Sequence, residues 1–284
     1  NPTLTVLRVT GFGQTGPYRS KPGFARVFEA MSGFTQLCGE AERAPLHLGF
    51  PIADAVAGLF GAAGILGALY HRHRNPDAPG QEVDVALMES MFRVLDFLPI
   101  EYDQLGVVRN RSGNTSQYAA PGNIYRTRDG HWASIAASTQ SIYERLCRAL
   151  DRPELIHDPR FATNPDRLRH RDALDAVVAA EIAKRSMAEL RSLLDVNEVG
   201  FSPVYTIADI FADPHFQERE CIVTVPDEEL GPVKMQCVVP RFGDTPGQVV
   251  SAGPALGQHN DDIYGQRLGI GEAERERLKS QGVI

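Results

Sequence analysis

The stretch from Phe50 to Tyr70, FPIADAVAGLFGAAGILGALY, sets the terms for the rest of the chain. One carboxylate, Asp54, heads a run of small and apolar residues. Asp is a preferred N-cap because its side chain accepts an orphan backbone N–H of the first turn. The pattern therefore predicts a helix from Ala55 to about Tyr70. Gly58, Gly61, Gly64 and Gly67 recur every third residue inside it. Each costs roughly 1 kcal/mol of helix propensity relative to Ala. Something must approach that backbone closely: another helix, a sheet or a flat ligand. An Asp in this place is, taken alone, only a cap. A membrane span is the other reading, and the predicted helix is too short for it, since a hydrocarbon core requires ~20 residues. His71, Arg72, His73 and Arg74 close the run, as cations suit a helix C-terminus.

The chain has 284 residues, enough for one large domain or two modest ones. Its 43% hydrophobic and 23% charged content describes an ordinary soluble globular protein, with no membrane partner expected. A net charge of −7 speaks against nucleic acid as a partner, although a local basic pocket can still hold an anionic ligand. Cys38, Cys147, Cys221 and Cys237 are scattered without a CxxC pair and read as reduced thiols of a cytoplasmic protein. No zinc-type spacing or HExxH is present, so no metal is expected. The chain opens on Thr3 to Val9, an apolar, β-branched run that reads as a buried strand. A domain that begins on a core strand lacks its upstream partners, so the N-terminal part of a larger domain is expected to be missing.

Glycines follow that strand at once, in Gly11 to Tyr18, where they permit a sharp turn and close approach of a ligand. Phe24, Val27, Phe28 and Met31 recur at helical spacing, with Gly33 as the stop. Gln81 to Leu87 alternates as a strand does, and a helix is predicted from about Met88 to Gly106. The order β-α-α-β-α predicts an α/β layer over residues 1–110. Residues 108–122 form an irregular polar loop. Beyond it, a hairpin around Asp129-Gly130 and amphipathic helices predict a small α+β domain over 111–200. The charged run Arg167 to Arg171 reads as a solvated face. Cys221 to Val225 and Val233 to Val239 read as paired strands within a C-terminal segment, 201–284.

Taken in order, these segments resemble family III CoA-transferases, the CaiB/BaiF family. The resemblance is carried by the Gly11–Tyr18 turn, by Leu48 to Gly58 (LGFPIADAVAG), and by Gly80 to Glu89 (GQEVDVALME). Pro203-Val204 with Asp213-Pro214, and Leu256 to Asp261 with Gly282-Val283, continue it to the end. It implies a Rossmann-like large domain (1–110) that binds CoA, a small α+β domain (111–200), and a C-terminal segment (201–284) returning to the large domain. It implies a homodimer of interlocked chains. It also implies that Asp54 is the nucleophile, transferring CoA from an acyl-CoA to a free carboxylic acid through an aspartyl anhydride and an aspartyl-CoA thioester. Coenzyme A enters as the acyl-CoA substrate. Its contacts fall partly on Pro22, Gly23, Phe24 and Ala25, with Lys21 and Arg26 as nearby cations, while Gln117, Tyr118 and Ala119 match a loop over the substrate. The family also contains α-methylacyl-CoA racemases, which place a His at the position of Phe24 and a carboxylate near Thr139. Neither residue here moves a proton at neutral pH, which favours the transferase. A non-catalytic CoA-binding subunit is the remaining alternative.

Overall fold

β1 (Val6–Thr10) and β2 (Glu82–Ala86) run parallel in the computed structural model, which describes residues 1–284, in register from Val6↔Glu82 to Thr10↔Ala86. Parallel neighbours need a crossover. Here it consists of α1 (Ala25–Met31), α2 (Phe34–Leu37) and the long α3 (Ile52–Arg74), and α4 (Leu87–Arg93) and α5 (Leu98–Leu105) follow β2. α3 lies on the strand pair where its glycines admit it. A Cβ at Gly61 would stand 3.0 Å from Leu7 Cδ2, and one at Gly64 would stand 2.9 Å from Val83 Cγ1. Gly58 and Gly67 face open space instead, so sheet packing accounts for two of the four.

Three expectations are corrected in this region. Asp54 is not the N-cap of α3; Pro51 is, and Asp54 sits inside the first turn. Pro51 supplies the fixed φ that starts the helix, and His71 to Arg74 remain helical, with Asn75 at the C-cap. At 23 residues α3 is long and apolar enough to cross a membrane, so the argument from length fails. Its Ala53, Ala57, Gly61 and Ala68 are buried, while Leu59 and Leu66 are exposed. The helix expected from Met88 to Gly106 is two, because Asp96 adopts a left-handed conformation (φ 51°) between α4 and α5. In α1 Phe28 and Glu29 are buried, while Phe24 at its N-cap, Val27 and Met31 are exposed.

The antiparallel sheet of β3 (Gly122–Arg126), β4 (Trp132–Ala136) and β5 (Phe201–Pro203) has β4 in the middle. Against it pack α6 (Gln140–Ala149), α7 (Asn164–Arg169), α8 (Arg171–Ile182) and α9 (Met187–Val196). Their apolar stripes, including Tyr143, Leu146, Leu174, Ile182, Leu190 and Leu194, form a core with Ile135 and Phe161. Arg167, expected on a solvated face, is fully buried there. Its guanidinium lies 4.2 Å from the Tyr143 ring centroid. It donates to the Ala120 carbonyl (2.6 Å), the Phe161 carbonyl (3.2 Å) and Gln140 Oε1 (2.8 Å). A charge is buried only when so paired.

The chain divides into two compact units, Asn1–Val204 and Tyr205–Ile284. The second contains α10 (Ile207–Ala212), α11 (Pro214–Glu218), the antiparallel pair β6 (Ile222–Asp227) and β7 (Gly231–Gln236), a π-helical turn (Asp261–Arg267) and α12 (Glu272–Ser280).

Candidate active site

The site begins where β1 ends. Thr10 Oγ1 accepts from Gly13 N (3.1 Å), and Asp84 Oδ2 on β2 accepts from Gln14 N (2.9 Å), so the 11–18 turn is tied to both strands. The Phe28 ring fills the space beside Gly11 and Gly23; a Cβ at Gly23 would stand 2.7 Å from Phe28 Cζ. Phe12 packs edge-on against Phe28 at 5.1 Å. One buried ring on α1 thus holds the turn and the Pro22–Ala25 segment together. Lys21 is not simply solvated, since its Nζ lies 3.6 Å from the Tyr18 ring centroid.

Phe24, Ala25, Arg26 and Val27 face Gly49, Phe50 and Pro51 across an apolar hollow of about 300 Å3. Phe24, which lines this hollow, is 89% exposed. The hollow opens at the start of α3, and Asp54 follows three residues after Pro51 with its side chain exposed. In the first turn Ile52 N bonds to Phe50 O and Ala55 N to Pro51 O, leaving the N–H groups of Ala53 and Asp54 without carbonyl partners. Unsatisfied N–H groups at a helix N-terminus favour negative charge. Of the two residues Ala53 is fully buried, so the Asp54 end faces solvent.

A second acidic residue was hidden from sequence reading. Glu29 is 0% exposed, and His47, in the segment leading to α3, places Nδ1 3.4 Å from Glu29 Oε2 and 3.5 Å from Thr35 Oγ1. Glu29 Oε1 has no partner. Glu29 adjoins Phe28 on α1, and of the apolar residues at helical spacing there Phe28 alone is buried. The only available signal was a Glu next to a residue of the apolar stripe.

The Gln117–Ala119 loop is held firmly. Ser116 Oγ accepts from Tyr118 N (3.2 Å) and Ala119 N (3.3 Å), and Asn164 donates to the Tyr118 carbonyl (2.8 Å) while accepting from Ala120 N (3.2 Å). The Tyr118 ring packs edge-on against Phe97 at 5.4 Å. Arg109 donates to Gln117 Oε1 and pairs with Glu101. None of this loop's hydrogen bonds or ring contacts reaches Asp54 or Pro22–Ala25. Thr139, at the position of the racemase carboxylate, caps α6 by accepting from Ile142 N (3.3 Å).

Comparison with known proteins decides the family. The model for CoA-transferase family III matches residues 1–260. The chain belongs to CoA-transferase family III. Succinyl-CoA–D-citramalate CoA-transferase of Chloroflexus aurantiacus is 42% identical to it over 284 residues, covering 100% of this chain and 70% of the relative. The alpha subunit of succinyl-CoA–L-malate CoA-transferase from the same organism is 38% identical over 285 residues, covering 100% of this chain and 66% of the relative. A CaiB/BaiF family protein from Brucella suis has a solved structure that superposes with a TM-score of 0.80 at 32% identity, covering 95% of this chain and 69% of that one. This family III chain thus spans about two thirds of the length of the relatives it matches.

Proposed function

We propose that this chain carries the acyl-transferring part of a CoA-transferase that moves CoA from an acyl-CoA to a free carboxylic acid, with Asp54 as nucleophile. The observation behind this reading is the exposed Asp54 carboxylate in the first turn of α3, three residues after Pro51, which lines the hollow with Phe24–Val27 and Gly49–Phe50. The carboxylate attacks the thioester carbonyl, and the CoA thiolate leaves, giving a mixed anhydride. The thiolate then attacks the aspartyl carbonyl, releasing the first acid and forming an aspartyl-CoA thioester. The acceptor carboxylate attacks that thioester, producing a second anhydride and freeing the thiolate again. Attack of the thiolate on the acceptor's carbonyl yields the new acyl-CoA and regenerates Asp54. A carboxylate is a weak nucleophile but a good acyl carrier, which suits a reaction that runs near equilibrium. The first-turn N–H groups stabilise the developing oxyanion.

In this reading Pro22, Gly23, Phe24 and Ala25 take part of the CoA, with Arg26 alongside. Gln117, Tyr118 and Ala119 cover the substrate. The names of the relatives support succinyl-CoA as donor and a hydroxylated dicarboxylic acid of the malate or citramalate kind as acceptor. A homodimer with a Rossmann-like large domain gives the exposed side of α3, which carries Leu59 and Leu66, its cover. Racemisation is disfavoured because Phe24 carries no proton and Thr139 is engaged as a cap. The test is incubation of the full-length protein with succinyl-CoA and a panel of acids, read by mass spectrometry, with and without Asp54→Ala. Hydroxylamine or borohydride should mark Asp54 during turnover. Transfer that persists in the Asp54→Ala protein refutes the assignment.

A further inference from the structure

β6 and β7 pair in register from Ile222↔Gln236 to Asp227↔Gly231. One step outside that ladder Cys237 N donates to the Cys221 carbonyl at 2.9 Å, so the two cysteines stand directly opposite one another. Strand alternation puts both on the face shared by Val223 and Met235. Both are half-buried, and neither is in a disulfide. Directly opposed residues hold their Cβ atoms ~4.5–5.5 Å apart, and a disulfide asks for ~3.5–4.5 Å, so a small closure brings the sulfurs together. Arg241 donates to Cys237 Sγ at 3.5 Å. Cys237 and Arg241 line an open hollow of about 440 Å3 with residues 246–249, which gives a small reagent access to the sulfur. The other cysteines lack this setting. Burial pushes the Cys147 thiol pKa up, and burial together with the charge of Glu29 pushes that of Cys38 up.

We propose that Cys221 and Cys237 are an oxidative modification site, forming a reversible cross-strand disulfide with a small disulfide such as oxidised glutathione as oxidant. The Cys237 thiolate attacks one glutathione sulfur and displaces the other glutathione as a thiolate. The Cys221 thiolate then attacks Cys237 Sγ and displaces the second. Two protein thiols lose their protons, and two electrons pass to the oxidant, which leaves as two molecules of reduced glutathione.

The test is to incubate the purified protein with oxidised glutathione, alkylate it in denaturant without reduction, and digest it with trypsin. Cleavage after Arg219, Lys234 and Arg241 places Cys221 on peptide 220–234 and Cys237 on peptide 235–241. The expected product is those two peptides joined in one species, two hydrogens lighter than their sum and separated by dithiothreitol, with Cys38 and Cys147 alkylated. In Cys221→Ser the glutathione adduct should remain on Cys237. Alkylated or singly glutathionylated cysteines at both positions, with no joined peptide, would overturn the proposal. So would a bridge from either cysteine to Cys38 or Cys147.

Discussion

At the scale of single residues, Asp54 combines exposure with a place among unsatisfied helix N–H groups. Asp54→Ala should lower kcat by roughly 10^4-fold or more, as for loss of other nucleophiles, while the thermal unfolding midpoint stays unchanged; steady-state kinetics and calorimetry check both. Glu29 is the opposite case, a buried carboxylate with one long contact to His47 and one oxygen unpaired. His47→Ala removes that contact and should cost about 1–3 kcal/mol of stability, with little further loss in the double variant with Glu29→Leu; urea unfolding measures the difference. On α8, Glu181 accepts from Lys184 Nζ (2.8 Å) and from Arg152 (3.2 Å). The Lys184 hydrogen bond, with help from Arg152, holds its pKa below the usual carboxylate value. A depressed carboxylate stabilises the fold above its unfolded pKa of ~4.3 and loses that contribution as pH falls through the lower folded value. Acid titration of unfolding should therefore show a limb below pH ~4 that flattens in Glu181→Gln. The sequence singled out Asp54 because it stood alone before an apolar run, and only the resemblance gave it a role. Glu29 and Arg167 were not legible there, because Glu29 meets His47 and Arg167 meets Ala120 and Gln140, all distant along the chain.

Among the elements, α3 shows how far periodicity reaches. Four glycines at a spacing of three announce close approach without saying to what. The structure divides them between Leu7 and Val83 on one side and open space on the other. Gly58→Ala should stabilise the chain by up to about 1 kcal/mol through helix propensity. Gly64→Leu should destabilise it by about 1–3 kcal/mol through overpacking against Val83. Paired denaturant curves check the opposite signs. The same spacing rule included Phe28, the buried ring of α1, but gave no sign of Glu29 beside it, because two turns in a helix of 7 residues are too few to define a buried face. The hairpin β3–β4 was legible from Asp129-Gly130, since Gly130 takes the left-handed conformation (φ 86°) that its turn needs.

For the whole molecule, the side of α3 away from the strands carries Leu59, 73% exposed, and Leu66, 68% exposed, a display too apolar to be left in water. If a second copy covers it, Leu59→Glu with Leu66→Glu should weaken self-association at least roughly tenfold, since burying one Leu is worth ~1.5–3 kcal/mol and 1.4 kcal/mol is tenfold. Sedimentation at several concentrations reads this directly, and an unchanged constant counts against the homodimer. Local chemistry alone determined the alternation of strands and helices, the glycine-rich turn after β1 and the lone carboxylate of the α3 first turn, because each is written in residues a few positions apart; the family showed in the order of motifs along the whole chain. Tertiary structure decided which face of each helix is buried, that Arg167 lies in a core and that Glu29 meets His47. It also decided that Cys221 and Cys237, 16 positions apart in the chain, stand side by side. Burial and pairing between remote segments depend on where the backbone brings them, and no short-range pattern records that.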